Sequence, residues 1–336
     1  MDEERQNRLA ALSFAPFRSR APWWGSDLQT LRNYFGRRAV LGTYGAQRLI
    51  LPLEDGTGDR LSAALSTPAA DRGRPLVVVI HGLSGDERSH YMLRTAATLL
   101  PLGYPVLRLN LRGAGPSRLL SRFQYHAGRT GDFERALAAL PPELLTNGVV
   151  GVGYSLGGNM LLKYLGERGA RVPLRAAVSV SAPIDLAATS RRLDTWRNAP
   201  YQAYLMREMR VEALGPASEL SSAERRAVMR ARSIHEFDAG FSVPRNNFTS
   251  IDSYYDECSA RHYLDGIGVP TLVIHAHNDP WVPFAPYGAY RWLDNPNLLP
   301  QLAPGGGHVG FHGRAHRTPW HDLAIAQFFD LLLSPP

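Results

Sequence analysis

Only one cysteine, Cys258, and one lysine, Lys163, occur in 336 residues. A lone cysteine excludes an intrachain disulfide framework and a cysteine-rich zinc site, and it fits a reducing compartment. Long apolar runs are also missing: none approaches the roughly 18 residues that mark a membrane-spanning helix. The opening MDEERQNRLA is polar and begins with acids, so it lacks the basic-then-apolar order of a secretory signal. These absences predict a cytoplasmic protein with no transmembrane segment. Clustered positive charge is lacking as well. The 37 basic residues outnumber 30 acidic ones for a net charge of +7, but the arginines are scattered and the densest spots are pairs such as Arg191-Arg192 and Arg225-Arg226. Phosphate binding needs a basic patch, so no nucleic-acid partner is expected.

With 44% hydrophobic and 20% charged residues, the chain can bury a sizeable core, which excludes global disorder. Apolar runs at Arg48 to Leu53, Leu61 to Ser66, Leu76 to Ile80, Val106 to Leu109, Val149 to Gly153, Ala176 to Val180, Thr271 to His275 and Leu298 to Leu302 read as strands. The first two are joined by the turn-forming Asp55-Gly56-Thr57-Gly58. Helical patterns at Tyr91 to Leu100, Gly131 to Leu140, Gly158 to Glu167 and Leu323 to Leu333 alternate with them. Strand alternating with helix predicts a mostly parallel sheet with flanking helices and a ligand at the carboxyl ends of the strands.

From about 184 to 268 the alternation breaks into an Arg/Leu/Met/Ala-rich helical stretch and an aromatic segment. A structureless insertion of that length is implausible in a compact domain, so a mainly helical cap is expected. The sequence therefore divides into an aromatic N-terminal arm (1–45) and a catalytic domain (46–336) carrying the cap. The arm is dense in apolar side chains, among them Leu9, Leu12, Phe14, Phe17, Trp23, Trp24, Leu28, Leu31 and Phe35. It is expected to pack on the body, with peripheral membrane contact or cover for an apolar substrate as the alternative.

The most informative segment is Gly151-Val152-Gly153-Tyr154-Ser155-Leu156-Gly157-Gly158. A G-x-S-x-G pattern directly after an apolar strand and before a helix puts a serine on a strained turn with its Oγ lifted clear of the sheet. Serine needs a base and the base needs an acid to orient it. Asp279 follows the Thr271 to His275 strand, and His308 sits in the Gly305-Gly306-Gly307-His308 loop after the last strand. Ser155, Asp279 and His308 thus have the chain order that such sheets require. The oxyanion needs two donors: the backbone N–H of Leu156, after the serine, and that of Leu83 in His81-Gly82-Leu83-Ser84-Gly85 after the third strand. His81 reads as an organiser of that loop. Phe237, Phe241, Tyr254 and Tyr255 in the cap are candidate substrate contacts.

The HGLSG loop, Asn110-Leu111-Arg112-Gly113, GYSLGGN from Gly153 to Asn159, Asn278-Asp279-Pro280 and GGHVGF from Gly306 to Phe311 together resemble the YheT-like branch of the α/β-hydrolase superfamily. Pro22-Trp23-Trp24, Leu28-Gln29-Thr30-Leu31, Phe237-Asp238 and Tyr254-Tyr255 are similar to that branch as well. The resemblance implies the α/β-hydrolase fold with an eight-stranded sheet. It also implies hydrolysis of short- to medium-chain acyl esters or acylglycerols through an acyl-enzyme, with Ser155 as nucleophile, Asp279 as acid and His308 as base. No cofactor is called for, and the partner is a small-molecule or lipid ester. One departure is Arg112-Gly113-Ala114, where relatives often carry cysteine or serine after the glycine.

Other readings use the same residues. An acyltransferase or thioesterase would need the same three groups. A non-catalytic binding protein on this scaffold would usually have lost one of them. A metal-dependent hydrolase could use His275-x-His277-x-Asp279, or His308, His312 and His316. Pro280 occupies the place of a further ligand in the first set, and Gly310 and Gly313 interrupt the helix the second would need. His275, His312, His316 and His321 are therefore expected to be ordinary loop or surface residues.

Overall fold

A computed structural model describes residues 12–35, 39, 41–42 and 44–333; Leu9 of the aromatic arm lies outside them. The strands are β1 (Gln47–Pro52), β2 (Arg60–Ser66), β3 (Leu76–Ile80), β4 (Val106–Leu109), β5 (Val149–Tyr154), β6 (Leu174–Val180), β7 (Thr271–Ala276) and β8 (Leu298–Ala303). They form one sheet in the order β1-β2-β4-β3-β5-β6-β7-β8. The β1–β2 and β2–β4 pairs are antiparallel, and every other neighbouring pair is parallel. This is the α/β-hydrolase fold that the sequence implies.

Side chains alternate across a strand, so β3 sends Leu76, Val78 and Ile80 into one apolar cluster and Val77 and Val79 into another. The first cluster is covered by α3 (Thr130–Ala138) and α4 (Leu156–Arg168), through Phe133, Met160, Leu161 and Leu165. The second is covered by α2 (His90–Leu99) and α9 (Trp320–Leu333), through Met92, Ala96, Phe328 and Phe329. Both faces of the central strands are buried, which is why they read as unbroken apolar runs. On β5, glycine replaces the side chain that would face α4. A Cβ on Gly153 would lie 2.5 Å from the Gly157 carbonyl oxygen, so the helix can pack tightly on the strand end.

Between β6 and β7 the chain builds α5 (Leu186–Leu193), α6 (Ala199–Ala213), α7 (Ser222–Arg230) and α8 (Ile251–Cys258), with shorter helical turns from 234 to 245. The caps are written locally. Asp185 accepts the Ala188 N–H at the start of α5, and Ser221 with Glu224 forms a reciprocal box at the start of α7. Leu205, Met206 and Met209 of α6 pack with Val228, Ile234, Phe237 and Phe241 over the strand ends.

The N-terminal segment contributes α1 (Gly25–Phe35). Ahead of it, Phe17 packs edge-on against Phe311 and Trp320, and Ser19 bridges to Gly313. The described part of the arm therefore lies along the loop that follows β8, although Trp24 and Leu28 face outward. Among the described residues, no helix is long and apolar enough to cross a membrane.

Arg112 takes a position that its sequence context did not suggest. Its side chain is wholly buried and forms ion pairs with Asp55 at 2.5 Å, Asp59 at 3.0 Å and Asp132 at 2.7 Å. The β1–β2 turn, the loop after β4 and α3 are joined at this one guanidinium.

Candidate active site

Ser155 sits between the last residue of β5 and the first of α4 with φ 49° and ψ −121°. That backbone region is costly for a residue with a Cβ and persists only when its surroundings enforce it. They do so here by close approach. A Cβ on Gly82 would stand 2.9 Å from Ser155 Cβ, and one on Gly157 would stand 2.4 Å from the His81 carbonyl oxygen. The two glycines after β3 and β5 let the HGLSG loop and the serine turn touch.

Asp279 follows β7 and His308 follows β8, neighbouring parallel strands, so the two loops leave the sheet side by side. His308 Nδ1 lies 2.8 Å from Asp279 Oδ2, and His308 Nε2 lies 2.9 Å from Ser155 Oγ. Asp279 is buried, and burial alone would raise its pKa. The His308 imidazole beside it, their hydrogen bond, the more distant His275 and the Val282 N–H outweigh that and hold the carboxyl below its ordinary range. The Trp281 and Val282 N–H groups both donate to Asp279 Oδ1. An ionised carboxylate only accepts, so Nδ1 carries the His308 proton and Nε2 is left to accept from the serine hydroxyl.

The backbone donors are also arranged. Gly82 N–H donates to Tyr91 Oη at 3.0 Å and Ser84 N–H to Tyr125 Oη at 2.7 Å. The Leu83 N–H between them, like that of Leu156 at the first turn of α4, has no protein acceptor among the described residues. His81 organises the loop from below. Its Nε2 accepts the Leu111 N–H, which makes Nδ1 the protonated nitrogen, and that N–H donates to the Gly82 carbonyl. Burial lowers the His81 pKa and keeps the ring neutral.

A cavity of about 510 Å³ opens onto these groups and includes Ser155, His308, Leu83 and Leu156 in its wall. That is the size range of small-molecule sites. Phe237, Phe241, Tyr254 and Tyr255 all line it. Two of these have structural duties too: Tyr254 Oη accepts the Ala127 N–H, and Tyr255 Oη donates to Asp238. Burial pushes Asp238 up to about 6 against the hydrogen bonds from Ser242 and Tyr255.

The expectation that His275 and His321 are surface or ordinary loop residues is corrected, since they lie in β7 and α9, and His312 is a loop residue but not a surface one. All three are buried, and only His316 is exposed. His275 stacks on Tyr287 with centroids 3.9 Å apart, and burial lowers its pKa to about 4. His312 is held by Asn33 and lowered to about 3, first by burial and then by Arg32. His321 packs edge-on against Tyr154 and Phe311. His277 stacks on Phe284 rather than converging with His275. Among the described residues, no three His, Cys, Asp or Glu side chains group to hold a metal.

Five further residues contribute to the site and are not evident from the sequence. Tyr91 and Tyr125 brace the HGLSG loop from helix α2 and from the loop after β4, with nothing in their local sequence to announce it. Trp281 stacks on His308, centroids 4.4 Å apart and planes at 29°; its position two residues after Asp279 was the available signal. Thr30 and Asn33 of α1 reach the cavity wall; Thr30 belongs to the Leu28-Gln29-Thr30-Leu31 motif, to which the sequence alone attaches no role.

Fold and geometry define a class, and comparison with known proteins agrees: the alpha/beta hydrolase fold family matches residues 75–315. The chain belongs to that family and, within it, to the YheT-like branch. It is 34% identical over 321 residues to YheT of Escherichia coli (strain K12), covering 91% of this chain and 90% of that one. It is 30% identical over 281 residues to the medium-chain fatty acid ethyl ester synthase/esterase 2 of Saccharomyces cerevisiae (strain ATCC 204508 / S288c), covering 76% of this chain and 62% of the yeast protein. It is 28% identical over 240 residues to human phospholipase ABHD3, spanning 59% of that protein's length. The fold is shared with the Pyrococcus furiosus esterase Pf2001, at a TM-score of 0.58 and 17% identity over 87% of this chain and 94% of that one.

Proposed function

We propose that the protein is a serine hydrolase that cleaves carboxylic esters, of short- to medium-chain acyl groups or acylglycerols, through an acyl-enzyme. The observation that carries this reading is the continuous hydrogen-bonded line from Asp279 through His308 to Ser155 Oγ, opening on the cavity of about 510 Å³. In this reading His308 takes the Ser155 proton as Oγ attacks the ester carbonyl. The N–H groups of Leu83 and Leu156 receive the oxyanion, His308 protonates the leaving alcohol, and water repeats the sequence to release the acid. Each oxyanion donor in such a site contributes about 2.7–4 kcal/mol of barrier lowering. The buried, ionised Asp279 keeps the imidazole in the useful tautomer. The names of the yeast and human relatives, an ester synthase/esterase and a phospholipase, support an ester substrate.

A second reading, acyl transfer to an alcohol, draws support from the yeast relative's name as a synthase as well as an esterase. It uses the same acyl-enzyme and differs only in the acceptor. Cap residues Phe237, Phe241, Tyr254 and Tyr255 form the acyl-facing wall in either case.

The test is a chain-length series of p-nitrophenyl esters with the parent protein and Ser155→Ala. The parent should turn over esters with an optimum at short or medium chains and be labelled by a fluorophosphonate. Ser155→Ala should lose both activities by several orders of magnitude while keeping its fold. Retained turnover in Ser155→Ala would overturn the reading, and an alcohol that diverts product from acid to ester would favour transfer.

A further inference from the structure

The loop that carries His308 is not one that would hold its shape unaided. Gly306, Gly307, Val309 and Phe311 all have positive φ, at 141°, 59°, 57° and 47°. For glycine this is free, but for a β-branched valine it is an outlier that costs energy and persists only under external restraint. The restraint comes from α1, nearly 280 residues away in sequence. Thr30 Oγ1 accepts the backbone N–H of His308 itself at 2.9 Å and donates to the Ser26 carbonyl at 2.8 Å. Asn33 Nδ2 donates to the Val309 carbonyl at 2.9 Å. Gln29 grips the far end in two directions: its Oε1 accepts the His312 N–H at 2.7 Å, and its Nε2 donates to the His312 carbonyl at 3.1 Å. Asn33 Oδ1 also meets His312 Nε2 at 3.1 Å.

These three side chains are buried, so the hydrogen bonds form away from competing water and each is expensive to leave unmade. The loop is pressed against the helix backbone as well. A Cβ on Gly307 would lie 2.5 Å from the Ser26 carbonyl oxygen, and one on Gly310 would lie 2.4 Å from that of Gln29. The same helix shows Leu28 to the outside, as does Trp24 just ahead of it. One face of α1 is thus a polar template for the main chain around His308, while the other face does nothing for the loop.

We infer that Gln29, Thr30 and Asn33 are positioning residues for His308, and that α1 is a working part of the active site rather than a passive arm. The inference rests on the proposed role of His308 as base. Removing the Thr30 hydroxyl frees the His308 backbone and lets the imidazole drift from the Asp279–Ser155 line. A misplacement of about 1 Å in such a line can cost a hundredfold in rate. Thr30 and Asn33 are two of many residues lining the cavity, so substrate binding should change little.

The experiment compares the full-length parent with Thr30→Val, Thr30→Ser, Asn33→Leu, Leu28→Ala and Ser155→Ala. The readouts are kcat and KM for a p-nitrophenyl ester, the rate of fluorophosphonate labelling, and the melting temperature. Thr30→Val should lower kcat roughly 10- to 100-fold with KM within about twofold, and labelling should slow in step, since both need proton transfer from Ser155. Thr30→Ser, which keeps the hydroxyl, should recover most of the loss. Leu28→Ala, on the outward face, should match the parent. Asn33→Leu should repeat the kcat-specific loss and serves as the reading if Thr30→Val fails to fold. A folded Thr30→Val or Asn33→Leu with parental kcat and labelling would overturn the inference, as would an equal loss in Leu28→Ala or a loss confined to KM. If Ser155→Ala is inactive while Thr30→Val is unaffected, only this inference falls. If Ser155→Ala remains active, the reading of the site itself falls.

Discussion

Ser155 is held at φ 49° and ψ −121°, a conformation that glycine would adopt at far lower cost. Backbone strain of this kind is worth about 1–3 kcal/mol. Ser155→Gly should therefore unfold at a higher urea concentration than Ser155→Ala, by roughly 1 kcal/mol after allowing for the greater flexibility of glycine in the unfolded chain. Equal midpoints for the two variants would mean that the turn is unstrained. The serine turn was legible from sequence because its sterics are local: glycine is required at 153 and 157, and both requirements fall within a few residues. His275 was misread for the opposite reason. Nothing adjacent to a histidine reports that Tyr287 and Phe284 will stack on it, and only the fold brings those rings together.

At the scale of elements, the strands and helices that surround the site were readable from apolar runs and 3.6-residue patterns, since both reflect burial that each segment experiences separately. Contacts between segments were not. The hydrogen bonds of α1 to the His308 loop span 276 to 283 residues, and the Arg112 cluster joins three elements through carboxylates 20 to 57 residues away. Arg112 stands in the sequence only within the Asn110-Leu111-Arg112-Gly113 motif and beside the departure that follows it, with no role attached to its side chain. Its burial among Asp55, Asp59 and Asp132 predicts that Arg112→Leu costs about 3–5 kcal/mol, because it leaves carboxylates buried without their counter-charge. Urea denaturation of the variant would check this, and a loss under 1 kcal/mol would mean that the acids reach water or other partners. The effect should fall on stability rather than on catalysis, since the cluster lies outside the Ser155–His308–Asp279 line.

At the scale of the whole molecule, three regions distant in sequence converge on one cavity: α1, the loops at the sheet's carboxyl edge and the helices between β6 and β7. Glu212 of α6 marks the junction. Its carboxylate accepts from Tyr125 Oη, the same hydroxyl that accepts the Ser84 N–H beside Leu83. Burial pushes Glu212 up to about 8; the Tyr125 hydrogen bond opposes this, and Asp86 and Glu208 add to it. A carboxyl with a raised pKa in the fold contributes stability fully below its unfolded pKa of about 4.5, and that contribution is lost as pH rises through about 8. Glu212→Gln, which mimics the protonated acid, should therefore gain in melting temperature relative to the parent as pH is raised from about 5 to about 9. A constant difference across that range would show that Glu212 titrates normally.

The stack of Trp281 on His308 gives the protein an optical property. Excited indole passes an electron readily to a protonated imidazole and far less readily to a neutral one, and a cation over the indole face is itself a favourable contact. Emission from Trp281 should therefore dim when His308 gains a proton. Six tryptophans share the spectrum, so subtracting the pH profile of Trp281→Phe from that of the parent isolates this one. The resulting curve would be a direct titration of His308 in the resting protein, obtained without substrate, label or turnover.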